Sequence, residues 1–147
     1  MVSQNPKSKK QSVANSSRKQ PEDIVLFIDR SLGKHVIPSA LRQAGANVEI
    51  HDDHFPTDTD DETWLSEVGR REWIVLTKDE RIRYHSIERT ALQKAKVGVF
   101  ILTAKNLTGQ QMASIFIKAL PAIIRFTIKN PPPFIAKIAR GGQITLA

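Results

Sequence analysis

The chain has 147 residues, the size of one ordinary domain, and its 40% hydrophobic and 25% charged residues are typical of a globular protein. It contains no cysteine, which excludes disulfides, thiolate zinc sites and cysteine nucleophiles, and it lacks a hydrophobic signal region or a long apolar run, so we expect a cytoplasmic protein without membrane contact. Its net charge of +7 makes it a basic protein and favours an anionic partner such as nucleic acid.

Charge divides the chain into three parts. Residues 1–20 carry five basic residues and no acid, without apolar periodicity, and predict a flexible basic tail ahead of one domain, 21–147. Residues 21–88 hold all fifteen acids, whereas 89–147 hold nine basic residues and no acid. A metal-dependent enzyme acting on nucleic acid needs such a combination, although uneven charge also serves solubility.

The pattern after the tail predicts strands that alternate with helices. Apolar runs predict strands at 24–28, in the first half of "NVEIHDDHFP", at 73–77 and at 97–103, with helices at 36–44, from Asp61 to Gly69, from Ser86 onward and after the Thr108–Gln111 capping box. Beyond "NPPP" we expect a short helix at 134–139 and a final edge strand at "QITL".

This alternation indicates an α/β fold: a three-layer α/β/α sandwich around a mainly parallel sheet of four to five strands. The carboxyl ends of parallel strands share one edge, where ligands bind. Asp29, the Asp52/Asp53 pair and Asp79 each follow a strand, and Asp61 begins a helix that rises from the same edge. A helix-start acid also has a purely structural use, because it favours the helix dipole.

Carboxylates gathered at one edge repel one another unless a cation neutralises them. Mg²⁺, or Mn²⁺ in its place, suits hard oxygen ligands and is usually held by one or two carboxylates together with substrate phosphate. Such a site cleaves phosphodiesters without a covalent nucleophile. We therefore expect a Mg²⁺-dependent hydrolase.

Three stretches in order, "VLFIDRSLG", "HDDHFPTDTDDETWL" and "WIVLTKDERIRYHSIERTAL", resemble the PIN-like domains, in particular the compact PIN-like family grouped with VapC-type toxins of toxin–antitoxin systems. The resemblance covers about 24–145. It implies a Mg²⁺- or Mn²⁺-dependent endoribonuclease whose substrate is RNA and whose partner is an inhibitory antitoxin protein.

The resemblance also implies roles for particular residues. Asp29 matches the acid that ends the first strand, Asp61 the acid that opens the helix, and Asp79 the acid after the third strand. Thr77 would orient a carboxylate or a metal-bound water. Larger PIN domains add a Glu in the helix after the first strand, and residues 34–44 contain none. Asp53 is the candidate fourth metal ligand, with Glu88 behind it.

Basic residues follow the same strand ends and are candidates to bind the scissile and neighbouring phosphates. They are Arg30, Lys78, Arg81 and Arg83. Solvated charge or pairing with nearby acids is the alternative for each. The apolar face of the long helix, with Phe116 and Ile123, is either core or the interface of a homodimer.

Other functions fit the pattern less well. His51 and His54 flank two acids, as in histidine–aspartate phosphohydrolases, but only His35 and His85 remain as further ligands. A phosphoacceptor receiver domain needs paired acids after the first strand, and a dinucleotide-binding domain needs Gly-x-Gly-x-x-Gly, and this chain has neither. The main alternative is a catalytically weak PIN-like scaffold that binds nucleic acid or protein without cleavage.

Overall fold

A computed structural model describes residues 19–147, so the predicted tail, of which only Lys19 and Gln20 are included, lies outside the described residues. Six strands form one sheet: β1 (Val25–Ile28), β2 (Asn47–Ile50), β3 (Ile74–Thr77), β4 (Gly98–Leu102), β5 (Phe134–Ile138) and β6 (Ile144–Leu146). Five helices connect them: α1 (Val36–Gln43), α2 (Asp61–Arg70), α3 (Arg81–Tyr84), α4 (Ser86–Ala95) and α5 (Gly109–Lys129).

The strands lie in the order β2-β1-β3-β4-β5-β6. The first five are parallel and β6 runs antiparallel to β5. The register pairs Leu26 with Ile74 and Ile74 with Gly98, so the carboxyl ends of β1, β3 and β4 finish close together. This arrangement confirms the predicted α/β/α sandwich with a mainly parallel sheet.

The two faces of the sheet bury separate cores. One core, which includes Leu26, Phe100 and Phe116, lies under α1 and α5. The other, which includes Phe27 and Leu65, lies under α2 and α4. Neighbouring strand residues such as Leu26 and Phe27 point to opposite faces, which is why these strands read as continuous apolar runs.

The predicted helix at 134–139 is wrong, because this segment forms strand β5 and raises the sheet to six strands. Phe134, Ala136 and Ile138 are buried while Ile135 and Lys137 are half-buried. This period of two is typical of a strand, and pairing with β4 along five residues stabilises it.

Helix α5 is long and apolar enough, by length and composition alone, to cross a membrane, which differs from the expectation that no stretch reaches that length. A buried helix of a globular domain meets the same criteria. Here α5 lays Met112, Phe116 and Ile123 onto the core beneath it and leaves Ile128 exposed. Of the two roles predicted for this face, core or dimer interface, the structure shows core.

Candidate active site at the carboxyl edge of the sheet

A cavity of about 240 Å³ opens where β1 and β3 end, and we call it the acidic cavity. Four carboxylates from different elements line it: Asp29 after β1, Asp61 at the start of α2, Asp79 after β3 and Glu88 in α4. These residues are up to 59 positions apart in the sequence. The fold therefore brings together the three acids that the sequence analysis assigned to one site.

The hydroxyl of Thr77 joins two of these acids. Its Oγ1 donates a hydrogen bond to Asp29 Oδ2 at 2.8 Å and accepts one from the Asp79 backbone N–H at 3.0 Å. The Ser31 backbone N–H donates to the same Asp29 oxygen at 3.2 Å. Because Thr77 is only 3% exposed, these bonds fix the Asp29 carboxylate and the start of the Asp79 loop relative to each other.

We expect Thr77→Val to destabilise the protein by about 1–3 kcal/mol, because it leaves the part-buried Asp79 N–H without its acceptor and removes the donor to Asp29. Any activity that uses both carboxylates should fall about tenfold as they lose their fixed separation. Urea denaturation and activity assays measure the two effects. Thr77→Ser keeps the hydroxyl and is the matched control; equal losses in both variants would contradict the assignment.

Asp61 is positioned by an indole. Trp64 Nε1 donates to Asp61 Oδ1 at 2.9 Å, and the Trp64 ring stacks on Phe27 at 5.6 Å between centroids. The helix cap is instead Asp60, whose side chain accepts from the Thr63 backbone N–H at 2.8 Å. The Asp61 carboxylate is thus not used as a cap and lines the acidic cavity.

Asp79 is held by Arg81. Nη2 of Arg81 lies 2.6 Å from Asp79 Oδ2, and its Nε lies 3.1 and 3.0 Å from the two carboxylate oxygens. These hydrogen bonds lower the pKa of Asp79, against the opposing effect of partial burial, so the group stays ionised at neutral and mildly acidic pH. A cation at this carboxylate would have to compete with the guanidinium.

The predicted phosphate ligands lie in different surroundings. Arg30 lines the acidic cavity and pairs with Asp52 at 3.1 Å, and Arg81 lines the same cavity. Lys78 is exposed and lines a neighbouring cavity. Arg83 lies over the Tyr84 ring, pairs with Glu80 at 3.4 Å and is not among the residues that line the acidic cavity.

Asp53, the candidate fourth ligand, is an exposed residue in the turn His51–Asp53 and is not among the residues that line the acidic cavity. Glu88 is among them, with its side chain 15% exposed. Glu88 lies on α4 opposite the strand ends, and only the packing of α4 against α2 brings it there.

His51 lines the acidic cavity as well, a position that the sequence analysis did not assign to it in this site. It is 4% exposed, packs against Phe27, Phe55 and Trp64, and its Nδ1 has no hydrogen-bond partner within residues 19–147. Burial lowers its pKa, so the ring is neutral. Its place directly after β2 could have identified His51 from the sequence, since Asp29 and Asp79 also follow strands. His54 turns instead to Glu49 at 2.7 Å, so the two histidines do not converge as a phosphohydrolase site requires.

The chemistry of the donors fits Mg²⁺ or Mn²⁺. Within residues 19–147, no three His, Asp or Glu side chains are already grouped as a metal cage. Magnesium retains several waters and is usually held by one or two carboxylates plus substrate phosphate, so a complete protein cage is not required. Asp29, Asp61 and Asp79 supply hard oxygen donors around one cavity, which is the set that such an ion needs.

Comparison with known proteins gives two matches. A family model described as "PIN like domain" matches residues 24–104, the span that contains all four cavity carboxylates. A protein named "Putative ribonuclease VapC45" from Mycobacterium tuberculosis (strain ATCC 25618 / H37Rv) is 30% identical over 114 residues, which cover 75% of this chain and 82% of that protein. No solved structure matches the chain significantly.

Proposed function

The chain belongs to the PIN-like domain family, and from that premise we propose that it is a metal-dependent endoribonuclease that hydrolyses RNA phosphodiester bonds. One observation supports this proposal above the others: Asp29, Asp61 and Asp79, from three separate parts of the chain, line one cavity beside Arg30 and Arg81. The name of the VapC45 relative, a ribonuclease, agrees with RNA as the substrate.

In this proposal Asp29, Asp61 and Asp79 hold Mg²⁺ or Mn²⁺. When bound, the ion would supply positive charge to the phosphate and increase the acidity of water. Thr77 keeps the Asp29 carboxylate in place, and Trp64 does the same for Asp61. Both contacts are formed before substrate arrives, so the carboxylates need little rearrangement when the site is used.

Arg81 has two successive partners in this proposal. In the structure it neutralises Asp79. A cation held at Asp79 would leave the guanidinium free at the cavity wall, where its two N–H groups would bind two oxygens of a phosphate. Arg30 lies across the same cavity and adds a second cationic contact.

The experiment is cleavage of structured and single-stranded RNAs by the purified protein with Mg²⁺, with Mn²⁺ and with EDTA. We expect cleavage with either ion and none with EDTA, because the carboxylates alone cannot neutralise the charge that develops on the phosphate. Cleavage that persists in EDTA would reject the metal-dependent mechanism. The full-length chain is the form to test, since its basic N-terminal segment adds charge that can bind RNA.

The Arg81–Asp79 ion pair favours a second function, because Arg81 already neutralises the Asp79 carboxylate without a metal. In this alternative the protein is a catalytically weak scaffold that binds nucleic acid or a protein partner. RNA binding without metal-dependent cleavage in the same experiment would support it.

We further propose that the protein acts in the cytoplasm as the toxin of a toxin–antitoxin system, inhibited by an antitoxin protein, and that it can form a homodimer. The family and the name of the relative support the toxin role and the antitoxin partner. A small gene that overlaps or adjoins the gene for this chain should encode the antitoxin. Its product should bind the purified protein and suppress RNA cleavage; an adjacent product that does neither would count against the toxin role.

A further inference from the structure

A larger cavity, of about 430 Å³, adjoins the acidic cavity along the carboxyl edge of the sheet. It lies beyond the ends of β3 and β4, and it shares Ser31 and Asp79 with the acidic cavity. We call it the lysine cavity; its other principal lining residues are Lys78, Leu102, Lys105, Asn106, Leu107 and Met112. Asp79 lines both cavities, so an RNA strand that passes the carboxylates of the acidic cavity would continue into the lysine cavity.

The walls of the lysine cavity combine apolar surface with positive charge. The accessible apolar surface comes from the half-buried Ala104 and Leu107, with Leu102 and Met112 buried behind them, whereas Lys78 and Lys105 are exposed. A nucleobase packs its face against apolar or aromatic surface, and lysines contact the phosphates on either side of it. An inorganic anion would not need the apolar wall, and a hydrophobic ligand would not need the lysines. The combination is suited to a nucleotide.

Asn106 supplies polar groups on this wall. Its backbone has φ 59°, in the left-handed region where Asn is one of the few favoured residues besides Gly. The loop around it is anchored, because Lys105 Nζ donates to Glu80 Oε2 at 2.9 Å and the Lys105 carbonyl accepts from Arg140 Nη2 at 3.3 Å. A side-chain amide carries both donors and an acceptor, which are the groups that read the edge of an unpaired base.

We propose that the lysine cavity binds the nucleotide next to the scissile phosphate in single-stranded RNA, and that Asn106 determines which base is accepted there. The inference rests on the proposed ribonuclease function, because it takes the acidic cavity as the place where the phosphate is cleaved. It adds a subsite for one nucleotide and a specificity-determining residue, Asn106, to that function.

The first test measures binding without cleavage. A fluorescent single-stranded RNA is titrated with the full-length protein in EDTA at several salt concentrations. Lys78→Ala should weaken binding of all sequences and should reduce the slope of log K against log salt by roughly 0.7. Lys129→Ala is the matched control, since it removes the same charge from the other end of α5, about 30 Å away. An equal loss in the control would overturn the proposal.

The second test measures base preference. Asn106→Asp and Asn106→Gly both tolerate the left-handed backbone, so both should fold. Sequencing of cleavage products from a randomised RNA should show a preferred base beside the cut site, and the variants should weaken or change that preference by about tenfold. Lys129→Ala should keep the original preference. Unchanged preference in both Asn106 variants would overturn the assignment.

The outcomes separate this inference from the proposed function. Cleavage with an unchanged preference in the Asn106 variants rejects the base-reading role and leaves the ribonuclease intact. The protein could instead bind RNA base-selectively in EDTA without cleaving it. If Asn106→Asp alters that selectivity, the result supports a base-binding role for the lysine cavity and rejects only catalysis. A protein that cleaves structured RNA but binds no single-stranded RNA overturns this inference alone, and a protein that neither binds nor cleaves any RNA overturns both.

Discussion

Asp79→Asn is expected to reduce metal-dependent RNA cleavage by about 100-fold or more while the protein stays folded. Asn keeps the Oδ1 acceptor that the Arg81 backbone N–H uses at 3.0 Å, so the local turn should persist. The negative charge is lost, so a neutral amide oxygen replaces an anionic ligand for Mg²⁺ or Mn²⁺. Metal-ion stabilisation of a phosphate is worth several kcal/mol, and each 1.4 kcal/mol is about tenfold in rate. Initial rates on a fluorescent RNA at saturating Mg²⁺ measure the effect.

The matched control for this substitution is Asp60→Asn. Asp60 lies beside the site in sequence, but it caps α2 and is absent from the walls of the acidic cavity. Asn is as good a helix cap as Asp, so this variant should keep both stability and cleavage. A similar loss in the two variants would show that general charge, rather than the position of Asp79, matters.

RNA binding distinguishes the role of Asp79 further. Removing the carboxylate charge weakens the hold on Arg81 and leaves its guanidinium more available to phosphate. Binding to RNA in EDTA should therefore be retained or become tighter in Asp79→Asn, even though cleavage is lost. Loss of both binding and cleavage would indicate that the substitution disturbs the fold of the site, which thermal unfolding would reveal.

Phe27→Ala is expected to cost about 3–5 kcal/mol of the free energy of unfolding, a large share of the roughly 5–15 kcal/mol typical of a domain. Phe27 is fully buried in β1, and its ring contacts those of His51, Phe55, Trp64 and Trp73, with centroids 5.6–6.0 Å apart. Truncation leaves a cavity that these large rings cannot close. Chemical denaturation monitored by tryptophan fluorescence measures the loss.

The same substitution should also lower cleavage under conditions in which the variant remains folded. Phe27 supports the Trp64 ring, and Trp64 donates to Asp61. Phe100→Ala is the control: Phe100 is equally buried, but it packs against Phe126 and Phe134 in the other core. It should lose comparable stability and less activity. A Phe27→Ala variant with stability within 1 kcal/mol of the unaltered protein would contradict the packing argument.

Much of the fold could be predicted because the signals are local. The runs that became β1, β3 and β4 are continuous stretches of buried residues, as expected for strands covered on both faces. The capping box at Thr108 and Gln111 forms at the start of α5 as predicted. Strand β5 was missed, since five residues after a proline run carry too little periodic signal to separate a strand from a helix turn, and pairing with β4 decides the outcome.

The sequence by itself determined which residues follow strands or begin helices, and therefore that Asp29, Asp61 and Asp79 would share one edge of the sheet. Only the tertiary structure decided that Glu88 rather than Asp53 lines the acidic cavity, that Arg81 neutralises Asp79, and that Asp60 caps α2 so that Asp61 is left to the cavity. The physical reason is that the positions of strands along the chain follow from short-range hydrophobic patterns. Which carboxylate faces which cation depends instead on how the helices pack and on side-chain positions a few ångströms apart.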